Sequence, residues 1–280
     1  MYCDLHTHSI RSDGCATPEE LIEEAKRLDL VIALTDHNVV SGLPAFIAAA
    51  QKAGIEAVAG TELSTEYGGH DVHVVGLFLR PEYYSAVENF VRQANEWKAV
   101  SNLQLVENLA RAGYPVDYEA ICASSSDKKP NRVHFAAHMM QRGYVNSIAE
   151  AFAGLLSPVK GVYIPPQRIT ALDAIRFLRS IHAVPVLAHP FLNFTLPELR
   201  EFLPQAKEAG LMAMETRYPL FTSEENRQAD MLVSEFSLLP SGGSDYHGER
   251  KPDIHLGTGT GNLAIPLSYY ENLKAAAQEA

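Results

Sequence analysis

The chain has 280 residues, of which 46% are hydrophobic and 20% charged, and this is enough for one large α/β barrel or two smaller domains. Its net charge of −11, from 23 basic and 34 acidic side chains, disfavours tight binding to long nucleic acid, because such binding requires many phosphates to be neutralised. No apolar stretch is long enough to span a membrane, no signal peptide precedes the first predicted strand, and the three cysteines lack CxxC spacing, so we expect a cytoplasmic protein without a disulfide framework.

The first 80 residues alternate between apolar, strand-like runs and helices. Thr17, Pro18 and Glu20 predict a helix start, with threonine as the N-cap, proline at the first helical position and an acid at the third. A second helix is predicted from about Leu43 to Ala53. The predicted strands are Tyr2–Leu5, Leu30–Leu34, Ile55–Ala59 and Val72–Leu79. Apolar strands separated by helices of about ten residues imply a parallel sheet.

This alternation stops at residue 81 and returns after residue 168. The stretch between has few strand signals, and its helical patterns cover Glu82–Ala112, Val133–Arg142 and Ser147–Leu155. Beyond it, helices alternate with predicted strands at Val184–Ala188, Leu211–Glu215 and Leu238–Pro240. We therefore predict an α/β barrel formed by residues 1–80 and 169–280, interrupted by a helical insertion of residues 81–168. An open, doubly wound sheet is the alternative.

Five apolar runs end in histidines and acids, and His73 lies inside a sixth run. The five endings are Asp4-Leu5-His6-Thr7-His8, Thr35-Asp36-His37, Gly60-Thr61-Glu62, Ala188-His189-Pro190 and Ser244-Asp245-Tyr246-His247. The carboxyl ends of parallel strands meet at one face of the fold, so these groups are expected to converge. Imidazoles and carboxylates are costly to bury together unless cations hold them. The sequence therefore predicts a metal centre with more than one ion.

The motifs HTHS-x-x-SDG, ALTDHN, GTELS, HVVG, AHP and SDYH resemble those of the PHP (polymerase and histidinol phosphatase) superfamily, and within it the stand-alone metal-dependent phosphoesterases. The resemblance covers Met1–Leu79 and roughly Leu172–Gly248. It implies a distorted (β/α)7 barrel, in agreement with the alternation of elements, and a helical insertion in about this place. It also implies a metal-dependent phosphoric ester hydrolase.

Carried onto this sequence, the family pattern implies three metal positions. His6 and His8 would share the first position with Glu62 and Asp245. Glu62 would bridge to a second position, which His73 and His189 complete. The third position would be formed by Asp13, His37 and His247. Ligands that are all nitrogen and oxygen suit two or three divalent ions, with Mn²⁺ as first choice and Fe²⁺ or Zn²⁺ as alternatives.

The expected reaction is hydrolysis of a small phosphate ester by a hydroxide that bridges two of the ions. Glu62 is the expected bridging ligand. We expect Asp36 to orient the ring of His37 or to position a water molecule. A protonated His247, or a water molecule on the third ion, is the expected donor of a proton to the leaving group.

Binding of the substrate requires cationic side chains beyond the metals. The segment Arg132-Val133-His134-Phe135-Ala136 resembles the family's Arg-x-His-Phe-Ala run, which implies substrate contacts by Arg132 and His134. Lys160 matches a glycine-flanked lysine at the exit of the insertion. Arg217 is expected to supply the charge that some relatives place directly after the Ala-His-Pro motif.

The candidate substrates are a nucleoside 3′,5′-bisphosphate, a short 5′-phosphorylated oligonucleotide and a cyclic sugar phosphate. Three other functions are weighed against this one. An amidohydrolase acting on C–N bonds usually employs a carbamylated lysine on a barrel strand, and no lysine follows these predicted strands. A histidinol-phosphate phosphatase would use the same metal centre. A non-catalytic metal module, as found attached to DNA polymerases, tends to lose ligands, whereas this set is complete.

Overall fold

In the computed structural model, which describes residues 2–125, 130–159 and 162–279, seven strands follow one another around a curved sheet in the order β1-β2-β3-β4-β6-β7-β8, and a two-residue strand, β5, pairs with β3. The strands are β1 (Tyr2–Asp4), β2 (Leu30–Leu34), β3 (Ala57–Tyr67), β4 (His70–Leu77), β5 (Ile169–Thr170), β6 (Val184–Leu187), β7 (Ala213–Arg217) and β8 (Leu239–Gly242). The helices are α1 (Pro18–Leu28), α2 (Leu43–Ala53), α3 (Tyr84–Arg111), α4 (Tyr118–Ala123), α5 (Arg132–Gln141), α6 (Ile148–Ala153), α7 (Ala171–Ser180), α8 (Leu196–Ala209), α9 (Ser223–Glu235) and α10 (Leu267–Gln278).

The sheet is mixed, and the expectation of an all-parallel sheet was wrong at one strand. β4 runs antiparallel to both of its neighbours, β3 and β6. It follows β3 through a tight hairpin turn at Gly68 and Gly69, which both have positive φ. The hairpin extends β3 to Tyr67, well past the predicted end at Ala59, and pairs residues from Gly60 to Tyr67 with β4. The prediction was short because the polar residues of β3 were interpreted as following a strand, whereas they form its second half.

The two ends of the sheet meet at the segments that follow β1 and β8. The backbone N–H of Leu5 donates to the carbonyl of Gly242 at 3.1 Å, and that of Asp245 donates to the carbonyl of His6 at 2.9 Å. Thr7 and Tyr246 form a parallel bridge between the same segments. These bonds close the distorted barrel, and they bring the first and last chemistry-bearing segments of the chain side by side.

The two faces of the sheet carry different hydrophobic clusters, as the alternation of side chains along β2 illustrates. Ile32 and Leu34 pack with Leu21 and Ile22 of α1 in the larger cluster, which contains the surrounding helices. Val31 and Ala33 face a second cluster with residues of α10 and the segment leading into it. The barrel interior is therefore closed at one end by the C-terminal helix, and the opposite end is left for polar side chains.

Helix α3 belongs to both parts of the chain. Val87 and Val91 in its first half pack in the barrel cluster. Leu105 and Leu109 in its second half pack with Phe135 in a separate cluster formed by α3, α4, α5 and α6. The insertion thus has its own core, and it is joined to the barrel by a continuous helix. Among the described helices, α3 included, none combines the length and apolar character needed to cross a bilayer.

The close approach of β8 to β1 requires glycine at position 243. A Cβ atom built on Gly243 lies 2.3 Å from the Cβ atom of His6 and 2.5 Å from its backbone nitrogen. Both contacts are to the backbone or to the first atom of the side chain, so no rotamer change relieves them.

We predict that Gly243→Ala lowers the free energy of unfolding by about 1–3 kcal/mol, the usual cost of overpacking a core. The cause is that β1 must move away from β8 at the barrel seam. Urea unfolding followed by circular dichroism measures the change. An unfolding midpoint equal to that of the wild-type protein would contradict this account of the seam.

Candidate metal centre

Nine side chains that the sequence analysis assigned as ligands lie together at the polar end of the barrel. They come from the segment after β1, the loop after β2, strands β3 and β4, and the loops after β6 and β8. Most are almost fully buried, and in four overlapping groups their potential ligand atoms lie within 4.8 Å of one another. The nine residues are His6, His8, Asp13, His37, Glu62, His73, His189, Asp245 and His247.

Glu62 is at the centre of the cluster, and its two carboxylate oxygens face different histidines. Oε1 lies 2.7 Å from Nδ1 of His73 and 3.0 Å from Nε2 of His189. Oε2 lies 3.3 Å from Nε2 of both His6 and His8. One buried carboxylate therefore separates two groups of imidazoles, as a bridging ligand would.

Two further carboxylates complete the cluster at its edges. Oδ1 of Asp245 lies 3.2 Å from Nε2 of His8. Oδ1 of Asp13 lies 3.2 Å from Nε2 of His247, and its Oδ2 lies 3.7 Å from Nε2 of His37. Donor atoms of all three predicted metal positions are thus neighbours, and the groups overlap: His8 is also close to Asp13, His37 and His247, and His37 is also close to Glu62 and His73.

The nitrogen and oxygen atoms of the cluster are crowded, and some of them lack hydrogen-bond partners within the protein. Nε2 of His6 and Nε2 of His8 are only 3.1 Å apart. Nδ1 of His8 and Nδ1 of His189 are buried without a hydrogen-bond partner. Buried polar groups normally have partners, and divalent ions bound in the cluster would suit this crowding of nitrogen and oxygen atoms.

The electrostatics of the cluster also favour cations. Burial acts to lower the pKa of His73, but the charge of Glu62 and a hydrogen bond with Asp71 outweigh it and raise this pKa to about 10. Burial acts to raise the pKa of Glu62, but the surrounding histidines hold it well below its ordinary value. The carboxylates thus attract positive charge strongly, which metal ions supply when they are bound.

Glu215 is a functional residue that the sequence analysis missed. Its Oε1 lies 2.8 Å from Nδ1 of His6, and its Oε2 accepts the backbone N–H of His189 at 2.6 Å. The first contact leaves Nε2 of His6 facing the cluster. The second holds His189, which has a strained backbone with φ of 28°. The signal was available, because Glu215 is an acid near the end of a strand like the assigned ligands.

The hydrogen bonds given for Asp36 go to Ser9 and Ser12 and not to His37, so the first of its two expected roles was wrong, and the positioning of a water molecule stays a prediction. Its Oδ1 accepts the backbone N–H of Ser9 at 2.8 Å and the hydroxyl of Ser12 at 2.6 Å, and its Oδ2 accepts the hydroxyl of Ser9 at 2.6 Å. Burial raises the pKa of Asp36 to about 6 in spite of these bonds. Asp36 therefore fixes the loop that carries Asp13.

Asp4 has the matching role on the other side of the barrel seam. Its carboxylate accepts the backbone N–H and the hydroxyl of Ser244 at 2.8 and 2.6 Å, and the backbone N–H of Gly257 at 2.8 Å. Ser244 directly precedes Asp245. The carboxylates of Asp4 and Asp36 thus each hold one ligand-bearing loop against the barrel.

His247 has an acceptor beside each of its ring nitrogens. Its Nδ1 lies 2.8 Å from the backbone carbonyl of Asp245, and its Nε2 lies 3.2 Å from Oδ1 of Asp13. A ring that donates through Nδ1 would offer Nε2 to a cation at this position, and the expected role of His247 as an acid stays a prediction. The second oxygen of Asp245 accepts from Tyr218 at 2.9 Å and from Lys251 at 2.7 Å, two partners that no sequence motif identifies.

A cavity of about 210 Å³ opens beside the cluster, between the barrel loops and the insertion. Asp13, His37 and His73 line one side of it, and Arg132 lines the other. The guanidinium of Arg132 lies 5.1 Å from the ring centre of Phe152 and 4.7 Å from that of Tyr163. Arg132 is therefore held by aromatic rings at the cavity wall, and its expected contact with a substrate stays a prediction.

The other expected substrate contacts have different outcomes. His134 is buried, and both of its ring nitrogens are engaged by Asn131 and Arg250. Arg217 forms a two-bond ion pair with Asp230 of α9, at 2.9 and 3.0 Å, and does not line the cavity. Neither residue is carried into the proposed substrate site. Lys160 lies outside the described residues.

Arg168 also lines the cavity and was not predicted. It pairs with Asp71, whose second oxygen lies 3.9 Å from Arg132. Two arginines thus share one carboxylate at the cavity wall. Arg168 lies directly before β5 without a recognisable motif, so it could not be identified from the sequence.

The fold and cluster together define a barrel with a buried group of potential metal ligands beside a helical insertion. The PHP domain family profile matches residues 4–174, and the chain belongs to this family. It is a metal-dependent hydrolase of phosphoric esters, as its relatives' names agree.

Two relatives and one solved structure illustrate the similarity. A 5′-3′ exoribonuclease of Haemophilus influenzae is 30% identical over 87% of this chain and 89% of its own length. A 3′,5′-nucleoside bisphosphate phosphatase of Chromobacterium violaceum is 30% identical over 90% of both chains. A structure described as an amidohydrolase from Chromobacterium violaceum, with bound sulfate and no metal, has a TM-score of 0.88 and 26% identity over 99% of this chain and 97% of its own.

We predict that Glu215→Gln weakens the affinity for a divalent ion such as Mn²⁺ by about 10–100-fold. Glu215 accepts one hydrogen bond from His6 and one from the backbone of His189. Glutamine has only one side-chain oxygen, so its N–H₂ group would face one of these N–H donors and that hydrogen bond would be lost. Titration followed by electron paramagnetic resonance of free Mn²⁺ measures the affinity. Glu208→Gln, an exposed change on α8, is the control and should leave the affinity unchanged. Wild-type affinity in Glu215→Gln would refute the role given to this carboxylate.

Proposed function

We propose that the chain hydrolyses a small, nucleotide-type phosphate ester, with Mn²⁺ as the preferred metal. The observation that carries this proposal is the cluster around Glu62, which borders a cavity that Arg132 and Arg168 also line. Metals and guanidinium groups around one cavity suit a ligand that carries phosphoryl oxygens and further negative charge. The names of the two relatives are consistent with such a substrate.

The proposed ligands follow the groups of neighbouring donor atoms. One ion is held by His6, His8, Glu62 and Asp245, a second by Glu62, His73 and His189, and a third by Asp13, His37 and His247. Manganese accepts this mixture of imidazole and carboxylate ligands, as do Fe²⁺ and Zn²⁺.

Divalent ions at these positions supply charge neutralisation for phosphoryl oxygens and lower the pKa of a bound water molecule. The chain's own side chains provide the remaining functions. Glu62 fixes the spacing of two ligand groups, Glu215 and Tyr218 orient ligands, and Arg132 binds the substrate. Lys251 forms an ion pair with Asp245, and its pKa is raised: burial alone would lower it, but the charge of Asp245 outweighs burial.

The charged state of Lys251 bears on the amidohydrolase alternative. A carbamylated lysine requires a neutral amine that reaches between two ions. Lys251 instead donates to the outer oxygen of Asp245, while the inner oxygen faces the histidines. The position between the ligand groups is occupied by Glu62, a carboxylate that needs no modification. These contacts support ester rather than amide hydrolysis.

An open groove continues from the cavity, and it supports a substrate that is larger than a phosphoryl group. Arg132, Arg168 and Tyr163 line both the cavity and the groove, which then passes the turn between β3 and β4 near His70. The similar structure from Chromobacterium violaceum is described with bound sulfate, which is a tetrahedral oxyanion like phosphate. A nucleoside 3′,5′-bisphosphate, with a second phosphate beyond the one hydrolysed, is the substrate that we favour.

Turnover of a phosphoester panel by Mn²⁺-loaded protein tests this proposal. The panel contains adenosine 3′,5′-bisphosphate, a 5′-phosphorylated trinucleotide, a cyclic ribose phosphate, histidinol phosphate and p-nitrophenyl phosphate. We expect the largest kcat/KM on the bisphosphate or the trinucleotide. Activity confined to amides, or to histidinol phosphate, would overturn it.

For the substrate that is turned over, we predict that Arg132→Met lowers kcat/KM by about 10–100-fold, mainly through KM, because a charge-assisted hydrogen bond to an anionic group is lost. Steady-state kinetics at saturating Mn²⁺ measure the effect. Arg142→Met is the matched control, since Arg142 also stacks on a tyrosine of the insertion but does not line the cavity. Equal kinetic constants for Arg132→Met and wild type would contradict the substrate site.

A further inference from the structure

A ring of hydrogen bonds connects the insertion to one edge of the metal cluster. The side-chain amide of Asn131 donates to Oδ2 of Asp13 at 2.7 Å. Asn131 directly precedes α5 of the insertion, and Asp13 belongs to the loop after β1. The insertion therefore touches a proposed metal ligand directly, rather than only covering the cavity.

His134 and Arg250 complete the ring of hydrogen bonds and connect Asn131 back to Asp13. Nδ1 of His134 lies 2.7 Å from Oδ1 of Asn131, and Nε2 of His134 lies 3.0 Å from a guanidinium nitrogen of Arg250. The same nitrogen of Arg250 donates to the backbone carbonyl of Asp13 at 3.2 Å. Asn131, His134 and Arg250 thus link both the side chain and the backbone of Asp13.

The chemistry of the ring fixes the orientation of each member. Arginine can only donate, so Nε2 of His134 is the acceptor in its contact with Arg250. Nδ1 of His134 lies 2.7 Å from Oδ1 of Asn131 and 3.2 Å from the backbone N–H of the same residue, so Asn131 meets this nitrogen with both its side chain and its backbone. The N–H₂ group of the Asn131 amide is directed toward Asp13. Oδ1 of Asp13 faces Nε2 of His247 at 3.2 Å and accepts the hydroxyl of Ser12 at 3.3 Å, and Oδ2 lies 3.7 Å from Nε2 of His37. The ring therefore positions the whole carboxylate of Asp13 between the two histidines.

We propose that the insertion completes the cation position formed by Asp13, His37 and His247, so that the affinity of this position depends on the ring of Asn131, His134 and Arg250. The inference rests on the proposed divalent-metal function. The ring residues act through Asp13 and are positioning residues. The other two positions take their ligands from barrel segments and contain no residue of the ring.

The test is a metal titration of the full-length chain with Mn²⁺, in which the number of bound ions and the affinity of each are measured by electron paramagnetic resonance. In Asn131→Ala we expect one ion to bind about 10–100-fold more weakly and the others to be unchanged. Asn108→Ala is the matched control, because Asn108 also donates its side-chain amide, but to the carbonyl of Val162 within the insertion. It should bind all ions as the wild type does.

Arg250→Met breaks the ring at its other side and keeps the test decisive if Asn131→Ala folds poorly. It should lower the affinity for the same ion. In the double variant the two losses of affinity should not multiply, because both changes open one ring. Wild-type affinities in both single variants, or equal weakening of every ion, would overturn the inference. If the wild-type chain binds Mn²⁺ and cleaves phosphoesters while these variants bind Mn²⁺ normally, only the inference fails. If the wild-type chain does neither, the proposed function fails.

Discussion

The arrangement of this protein depends on one buried carboxylate. Glu62 faces His73 and His189 with one oxygen and His6, His8 and His37 with the other, at distances of 2.7–3.3 Å. A charge buried in this way is very unfavourable without compensation. Protons on the histidines or metal ions can supply it, and only metal ions satisfy all the donor atoms that point inward. The surrounding structure is organised to keep these groups together.

Two features of the barrel bring the groups to Glu62. The hairpin of β3 and β4 places Glu62 and His73 on adjacent strands, although an all-parallel barrel would have separated them by a helix. The seam between β1 and β8 brings His6 close to Asp245, 239 positions later in the chain. The carboxylates of Asp4, Asp36 and Glu215 then hold the ligand-bearing loops, at the cost of their own burial. These residues form as much of the site as the ligands themselves.

The sequence was sufficient to predict which histidines and acids converge, because strand ends are visible in it. An apolar run that ends in His6 and His8, or in Asp245 and His247, shows both the strand and the group that it presents. The partners of the ligands were harder to predict, because hydrogen bonds between distant segments leave no local pattern. Asp36 was assigned to His37, its neighbour in sequence, yet it bonds to Ser9 and Ser12 on another loop. His134 was assigned to the substrate, yet Arg250 and Asn131 engage it. The antiparallel direction of β4 was not predicted. The apolar pattern of two strands is the same whether a hairpin makes them antiparallel or a crossover makes them parallel.

The central claim is that imidazoles and carboxylates from distant segments enclose divalent ions around Glu62. Anomalous X-ray scattering at the manganese edge, from crystals of the protein grown with Mn²⁺, tests it most directly. The account predicts two or three peaks among the nine ligands, with Glu62 between two of them. Peaks confined to the protein surface, with an ordered cluster that holds none, would contradict it.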